Sequence, residues 1–203
     1  ALGYKGDYIK DYFLNQKYFA NNFTLFTKSG FTRIYKNESR AGEDFKITFV
    51  DTGENTLPGE RILRTKLYVP QEDEDFMVTY GDGVGDVDLH ELVKLHQRKN
   101  KIGTIIGVHP RSKYGLLKTN RSGLINKFIE KPVLREWVNG GFMVFKKEFF
   151  KYLKSGEMEH PALKRLIRKR ELSLFIHDGF WHSMDTYPDV DDLNRLWKDD
   201  PMW

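Results

Sequence analysis

Two aspartates in the sequence are suited to holding a metal ion. Asp82 lies in Gly81-Asp82-Gly83, directly after a strand-like stretch, and Asp185 follows the aromatic-rich stretch GFWHSM. Mg²⁺ is typically held by one or two carboxylates together with substrate phosphates. Ligands of α/β sheets bind at the carboxyl ends of the strands. We therefore expect Asp82 and Asp185 to converge at such an edge and to share one metal ion.

Each aspartate also has a purely structural interpretation. Gly-Asp-Gly is typical of a tight turn, in which the glycines only supply backbone freedom. Asp185 stands just before Thr186 and a helical pattern, where a carboxylate often caps the helix. In the functional interpretation, the glycines leave room for a bulky anionic ligand. The residues alone leave both interpretations open.

Two other motifs have a functional and a structural interpretation. Lys131 in FIEKP ends a predicted hairpin, where it is either a point charge for a phosphate or an ordinary exposed lysine. Asn139 and Gly140 in VNGGF open a strand, either because the backbone needs space or because a sugar approaches it. The six histidines form neither a zinc pattern nor a Ser-His-Asp grouping. The basic run KRLIRKR is typical of a solvated helix face rather than a nucleic-acid groove.

The elements that must position these residues alternate between strand and helix. This alternation predicts an α/β fold, with a mainly parallel mixed sheet, helices on both faces and a small α+β extension at the C-terminus. We expect one domain over residues 1–203, with 147–203 as a possible subregion. Strands are predicted in 45–53, 76–82 and 101–109, a hairpin in 114–132, and helices in 6–15, 60–69, 86–100 and 189–197. Residues 139–153 are predicted as a strand running into a helix, and 172–185 as a strand followed by a second short extended piece.

The composition excludes several classes of protein. The chain has 203 residues, no Cys, and a formal net charge of +4. Disulfides and thiolate metal sites are therefore excluded, and no apolar run is long enough to cross a bilayer. We expect a cytosolic protein that binds neither nucleic acid nor membrane. The chain opens without Met on Ala1-Leu2-Gly3, which reads like the end of a strand, so we expect an N-terminally incomplete domain.

Five motifs taken together resemble one family in their order and spacing. They are VDTGENTLPGER, TYGDGVGD, FIEKP, VNGGF and GFWHSMDT. The chain resembles the sugar-1-phosphate nucleotidyltransferases over nearly its whole length, and within them the glucose-1-phosphate cytidylyltransferase branch. The resemblance implies transfer of CMP from CTP to a sugar 1-phosphate, preferably glucose 1-phosphate. It also implies Mg²⁺ as cofactor, a role in nucleotide-sugar biosynthesis, and a homo-oligomer.

The resemblance also implies roles for individual residues. Asp82 and Asp185 match the metal-binding aspartates of the family, and together with Lys131 they form the implied catalytic set. The nucleotide would contact Thr56, Gly59, Arg61 and Gly81, and the sugar phosphate would contact Glu130, Lys131, Asn139 and Gly140.

The chain departs from the family pattern at two points. The Gly-rich G-G-x-G-T-R-L loop and the later Lys-Pro pair are absent from residues 1–203, so we expect this stretch alone to be inactive. Glu60 stands where the family usually has Gly. Two alternatives therefore remain: a non-catalytic sugar-nucleotide-binding or regulatory homologue, and a glycosyltransferase that uses a nucleotide sugar.

Overall fold

The structure, a computed structural model, describes residues 1–36 and 45–203. The chain divides into two compact units. The first unit contains Ala1–Pro70 and Leu153–Pro161, and the second contains Gln71–Tyr152 and Ala162–Trp203. The expectation of a single domain stays a prediction.

The first unit contains two helices and a hairpin. In chain order its elements are α1 (Gly6–Phe19), β1 (Asn22–Phe26), β2 (Phe31–Tyr35), α2 (Pro58–Arg64) and a 3-10 helix (Lys66–Tyr68). Strands β1 and β2 pair antiparallel. Helix α1 was predicted from its apolar spacing. The helix predicted over residues 60–69 is shorter in the structure, where α2 ends at Arg64 and a 3-10 helix follows. The hairpin was not predicted, because Lys28-Ser29-Gly30 is only a weak turn signal between its strands.

The strand predicted over residues 45–53 is wrong for most of its length. The structure has a single parallel bridge there, between Leu2 and Asp51. Leu2 N donates to Val50 O over 2.7 Å, and Thr52 N donates to Leu2 O over 2.9 Å. An apolar run becomes a strand only where several consecutive residues find a partner, and among the described residues Leu2 alone pairs with this stretch.

The second unit is built on a four-stranded sheet. Its elements in chain order are β3 (Asp75–Val78), β4 (Gly83–Gly85), α3 (Leu89–Lys99), β5 (Gly103–Val108), β6 (Leu116–Thr119), β7 (Ile125–Ile129), β8 (Val138–Lys146), a 3-10 helix (Lys147–Tyr152), β9 (Leu172–Ile176), β10 (Trp181–Ser183) and α5 (Tyr187–Asp199). Helix α4 (Glu159–Arg168) precedes β9. None of the helices in the described part of the chain is long and apolar enough to span a membrane.

The sheet has the strand order β3-β8-β5-β9 and is mixed, which confirms the α/β class. Strands β5 and β9 are parallel, whereas β8 runs antiparallel to both β3 and β5. Three of the four strands therefore share one direction, but only one of the three ladders is parallel because β8 lies between β3 and β5. All six residues of β5 are buried, as its continuous apolar run predicts.

The core lies on both faces of this sheet. On one face, Leu92 of α3 packs with Ile106 and Val144. On the other face, the ring of Phe145 stacks on Phe149 of the 3-10 helix, with 3.9 Å between ring centroids. Helical segments therefore cover both faces, as predicted. In α4, Leu166 is buried while its neighbour Ile167 is exposed.

The hairpin of β6 and β7 is confirmed, and its two ends differ. At its tip, Asn120 Oδ1 accepts hydrogen bonds from the backbone N–H groups of Ser122 and Leu124, both over 3.0 Å. At its root, Ser112 N donates to Pro132 O over 2.8 Å. The tip is thus a local turn, whereas the root is tied to the segments that enter and leave the hairpin.

Candidate active site

The short ladder between β4 and β10 brings Asp82 and Asp185 to the same end. Gly83 pairs with Ser183 and Gly85 pairs with Trp181 in antiparallel register. Beyond the ladder, Met184 N donates to Asp82 O over 2.7 Å. Met184 therefore lies opposite Asp82, and Asp185, the next residue along the chain, lies one position beyond it at the same end of the ladder. The role of the two aspartates as metal ligands stays a prediction.

The glycines beside Asp82 leave open space. A Cβ atom on Gly81 would meet no atom of the described residues within 4 Å, and one on Gly83 would lie 3.7 Å from the nearest atoms. Gly81 and Asp82 do form a turn, so the structural interpretation is correct in part. Neither glycine has a positive φ, however, so the backbone conformation does not require glycine at either position. The space beside Asp82 is what the functional interpretation expects.

Asp185 accepts two side-chain hydrogen bonds. Lys113 Nζ and Ser183 Oγ each donate to Asp185 Oδ2 over 2.9 Å. The hydrogen bond from Lys113, followed by that from Ser183, lowers the pKa of Asp185, and the same pair raises the pKa of Lys113. Both side chains are half exposed, so solvent screens the interaction. Lys113 was missed at the sequence level, because a single lysine in a loop carries no distinguishing pattern.

The structure contradicts the interpretation of Asp185 as the residue that caps α5. The N-cap residue is Thr186. The carboxylate that serves this helix start is Asp189 Oδ2, which accepts from Thr186 N and Thr186 Oγ1, both over 2.8 Å. It also accepts from Asp185 N over 3.1 Å. The side chain of Asp185 is therefore not needed to begin the helix.

Glu130 and Lys131 lie at the root of the hairpin. Arg111 and Val133 form an antiparallel bridge there, which places Lys131 opposite the loop that carries Lys113. Lys131 has a φ of 40°, in the left-handed region that a lysine seldom adopts, and Lys5, Asn100 and Arg170 share this feature. Residues with strained backbone cluster at functional sites, and the conformation of Lys131 agrees with its predicted role.

Asn139 and Gly140 are tied to both neighbouring motifs. Asn139 Nδ2 donates to the hydroxyl of Tyr80 over 3.2 Å, and its Oδ1 accepts from Gly141 N over 3.0 Å. Trp181 Nε1 donates to Gly140 O over 2.8 Å. The start of β8 is thereby connected to the residue before Gly81 and to β10. The predicted sugar contact and the predicted metal site therefore share one hydrogen-bonded framework.

The donor set at this site fits a magnesium ion that is shared with a substrate. Among the residues that the structure describes, no three His, Cys, Asp or Glu side chains form a metal-binding group. Two carboxylates with open space beside one of them match the usual environment of Mg²⁺, which keeps waters and takes phosphate oxygens as further ligands. Asp82 and Asp185 are the residues that would hold it.

In the first unit, Arg61 shapes the loop that carries Thr56. Its Nε donates to Thr56 O over 2.8 Å, its Nη1 to Thr52 Oγ1 over 3.0 Å, and its Nη2 to Glu54 O over 2.9 Å. An arginine fork that satisfies three loop oxygens fixes the path of the backbone. The sequence pattern did not reveal this role, and the predicted nucleotide contact of Arg61 and Thr56 stays a prediction.

Gly59 and Glu60 have clear structural roles. A Cβ on Gly59 would lie 2.7 Å from Glu157 O, so this position has no room for a side chain. Glu60 accepts from Gly156 N over 2.8 Å and from Arg64 over 2.6 Å. These hydrogen bonds, first from Gly156 and then from Arg64, lower the pKa of Glu60. The carboxylate of Glu60 thus joins α2 to the segment containing Gly156.

The fold and the sequence both match known proteins. The crystal structure of HddC from Yersinia pseudotuberculosis superposes with a TM-score of 0.63 at 18% identity, over 97% of this chain and 76% of that one. This likeness defines the fold class. Residues 23–198 match the family model described as nucleotidyl transferase. The chain belongs to the nucleotidyl transferase family.

Two relatives align over almost the entire chain. A probable glucose-1-phosphate cytidylyltransferase from Bacillus subtilis is 38% identical over 200 residues, which are 97% of this chain and 76% of that protein. The glucose-1-phosphate cytidylyltransferase of Salmonella typhimurium is 35% identical over 201 residues, or 98% of this chain and 76% of that protein. The resemblance identified from the five motifs is therefore confirmed.

Proposed function

We propose that the protein transfers a nucleotidyl group from a nucleoside triphosphate to a sugar 1-phosphate, with CTP and glucose 1-phosphate as its substrates. The names of the two relatives, which align over nearly the entire chain, support this choice. The structural observation that supports it is the hydrogen bond from Met184 N to Asp82 O, because it brings the chain segments of the two implied metal ligands to the same end of the β4–β10 ladder.

The proposed reaction needs no nucleophile from the protein. An oxygen of the sugar 1-phosphate is already an anion at neutral pH, and it attacks the α-phosphorus of the nucleoside triphosphate. The bond from this phosphorus to the bridging oxygen breaks, and pyrophosphate leaves. The protein contributes by positioning the two phosphates in line and by neutralising their charge.

Four residues of the second unit have a proposed part in this reaction. Asp82 and Asp185 would hold Mg²⁺, which when bound stabilises the developing negative charge on the phosphate oxygens. Lys131 holds the attacking phosphate, since a lysine ammonium is a compact point charge. Gly81 leaves the space that the nucleotide enters.

The remaining residues are proposed to bind the rest of each substrate. The sugar contacts Glu130, Asn139 and Gly140, which the structure places at the hairpin root and at the start of β8. In the first unit, Thr56, Gly59 and Arg61 are proposed to contact the nucleotide, with Arg61 fixing the loop. A homo-oligomer and a cytosolic location are also part of this proposal.

The test is a substrate panel with the full-length protein. CTP, UTP, dTTP, ATP and GTP are each combined with glucose 1-phosphate or mannose 1-phosphate, and pyrophosphate release is measured. We expect CTP with glucose 1-phosphate to exceed the other pairs by at least about tenfold, since a site that hydrogen-bonds one base rejects others strongly. The Asp82→Asn variant serves as the inactive control.

The other outcomes separate the alternatives. Use of UTP or dTTP without CTP would contradict the choice of base and leave the reaction class intact. Binding of CDP-glucose without any pyrophosphate release would identify a non-catalytic homologue. Transfer of glucose from CDP-glucose to an acceptor would identify a glycosyltransferase.

A further inference from the structure

Lys113 lies at the candidate site although no sequence motif pointed to it. Its ammonium nitrogen is 2.9 Å from Asp185 Oδ2 and 3.5 Å from Asp189 Oδ2. The side chains of Lys113 and Asp185 are both 50% exposed, so a ligand in solvent reaches the pair directly. A cation therefore already contacts one of the two carboxylates proposed to bind metal.

The backbone around Lys113 is held by hydrogen bonds that do not involve the lysine side chain. Ser112 N donates to Pro132 O over 2.8 Å, Ser112 Oγ donates to Tyr114 O over 2.7 Å, and Tyr114 N donates back to Ser112 Oγ over 3.1 Å. These bonds fix the main chain on either side of Lys113. The lysine side chain is a long flexible stem. It can therefore change partner while the loop stays in place.

The two carboxylates that face Lys113 differ in what else they hold. Asp189 Oδ2 accepts three further hydrogen bonds at the start of α5, from Asp185 N, Thr186 N and Thr186 Oγ1. Among the described residues, Asp185 Oδ2 accepts one hydrogen bond besides that from Lys113, and its donor is Ser183 Oγ. Asp189 thus maintains the helix start, whereas Asp185 is the carboxylate whose partner can be exchanged at little structural cost.

The position of Lys113 also relates it to the predicted phosphate lysine. Residues 110–112 pair with residues 132–134 through the Arg111–Val133 bridge and the hydrogen bonds on either side of it. Lys113 and Lys131 therefore lie on opposite sides of the same antiparallel root. A phosphate held at Lys131 would approach a segment that already carries a second cation.

We propose that Lys113 and a divalent cation compete for Asp185, and that Lys113, once displaced, neutralises the phosphate of the bound sugar 1-phosphate. This inference rests on the proposed function. The physical reason is that two cations at one exposed carboxylate repel each other, whereas an arriving phosphate provides the ammonium with a new anionic partner. Lys113 thereby favours metal binding together with substrate over metal binding alone.

A plain surface ion pair is the simpler alternative, and it predicts something different. Exposed pairs contribute little to stability, and if Asp185 forms only such a pair and holds no metal, Lys113 has no effect on metal binding. Under that alternative, removing Lys113 leaves metal affinity unchanged. Under our proposal, removing it strengthens metal binding in the absence of substrate and weakens substrate binding.

The experiment is a Mn²⁺ titration of the full-length protein, with free Mn²⁺ followed by electron paramagnetic resonance. We expect Lys113→Gln to bind Mn²⁺ about two- to fivefold more tightly than wild type, the range given by the coupling of an exposed pair. Lys113→Arg keeps the charge and should stay close to wild type, and Asp185→Asn should weaken binding. Lys94→Gln is the matched control, since it removes one lysine from another exposed ion pair, with Glu91 on α3, and should change nothing.

A second measurement tests whether Lys113 contributes to binding of the sugar 1-phosphate. Glucose 1-phosphate is titrated calorimetrically at saturating Mn²⁺, and Lys113→Gln should bind it about three- to tenfold more weakly, because one charged hydrogen bond is lost. Lys94→Gln should again match wild type. Unchanged or weaker Mn²⁺ binding by Lys113→Gln, or unchanged sugar-phosphate binding, overturns the inference.

These readouts separate this inference from the proposed function. Neither titration requires turnover. If Lys113→Gln binds Mn²⁺ more tightly and glucose 1-phosphate more weakly, but the wild type releases no pyrophosphate, the proposed function alone is contradicted. An active enzyme in which Lys113→Gln binds Mn²⁺ like wild type contradicts this inference alone. A wild-type protein that binds no Mn²⁺ contradicts both.

Discussion

The amide of Met184 donates a hydrogen bond to the carbonyl oxygen of Asp82 over 2.7 Å, across the end of the β4–β10 ladder. Asp185 is the next residue along the chain. The placement of Asp82 and Asp185 at one end of this ladder is therefore set by main-chain pairing, so substituting either side chain leaves the ladder intact.

This arrangement predicts that the two aspartates can be neutralised without loss of the fold. Asp82→Asn and Asp185→Asn should each lower kcat by about 10²–10³-fold, the typical cost of removing one well-placed electrostatic group. EDTA should abolish turnover of the wild type, and added Mg²⁺ should restore it. Pyrophosphate release and circular dichroism measure the two effects, with exposed Asp191→Asn as control. Wild-type kcat in either variant would remove that residue from the site.

The bond from Trp181 Nε1 to Gly140 O predicts a coupling between β10 and the start of β8. Trp181→Phe keeps an aromatic ring but leaves this carbonyl without its donor, so unfolding in urea should require about 1 kcal/mol less. The KM for glucose 1-phosphate should rise more than the KM for CTP, because Gly140 is on the proposed sugar side. Trp197→Phe, at an exposed position, should change neither quantity. An equal rise of both KM values would indicate a general loosening instead.

The contacts of Arg61 predict that its shape matters as well as its charge. A lysine cannot satisfy the three oxygens of Thr52, Glu54 and Thr56, so Arg61→Lys should lower the free energy of unfolding by about 1–3 kcal/mol. Urea denaturation measures this. Arg195→Lys, in an exposed pair with Asp192, is the control and should stay within about 0.5 kcal/mol of wild type. Wild-type stability of Arg61→Lys would show that the loop keeps its path without the arginine fork.

The buried His96 predicts a specific acid sensitivity. Burial lowers its pKa from the ordinary value of 6.5, and Asp75 opposes this effect only in part. As the pH falls below about 6.5, the unfolded chain gains a proton that folded His96 resists, so the free energy of unfolding should decrease. His96 Nδ1 lies 2.8 Å from Thr104 Oγ1, so His96→Gln should cost about 1–3 kcal/mol at pH 7.5.

The decisive comparison is how steeply the free energy of unfolding changes with pH in wild type and in His96→Gln. Urea denaturation between pH 7.5 and 5 should give a steeper loss of stability for wild type than for His96→Gln. The exposed His90→Gln should follow the wild-type curve. Parallel curves for wild type and His96→Gln would show that another group governs the acid response.

Much of the second unit could be predicted because its local signals agree with its tertiary environment. The continuous apolar run of β5 predicted a strand buried on both faces, and Asn120 with Gly123 predicted the hairpin turn. The class of the fold follows from the alternation of such segments. The placement of β8 between β3 and β5 did not follow, because strand order depends on long-range pairing that no local pattern encodes.

Some residues of the candidate site could likewise be predicted from the sequence, and others could not. Asp82, Asp185 and Lys131 lie in motifs that are recognisable by their glycines, aromatic residues or proline. Lys113 and the loop-shaping role of Arg61 were not predicted, because each depends on which oxygens lie within reach of a long side chain. Such distances are set by the folded backbone and not by spacing along the chain.

The two ends of the β6–β7 hairpin have a practical consequence for labelling and protein engineering. Its tip is closed by the side chain of Asn120 and is exposed, whereas its root carries Lys113 and Lys131. Exposed polar tips are the sites that best accept inserted residues. A fluorophore or an epitope placed at Ser122 would therefore leave the root intact and label the protein at a distance from Lys113 and Lys131.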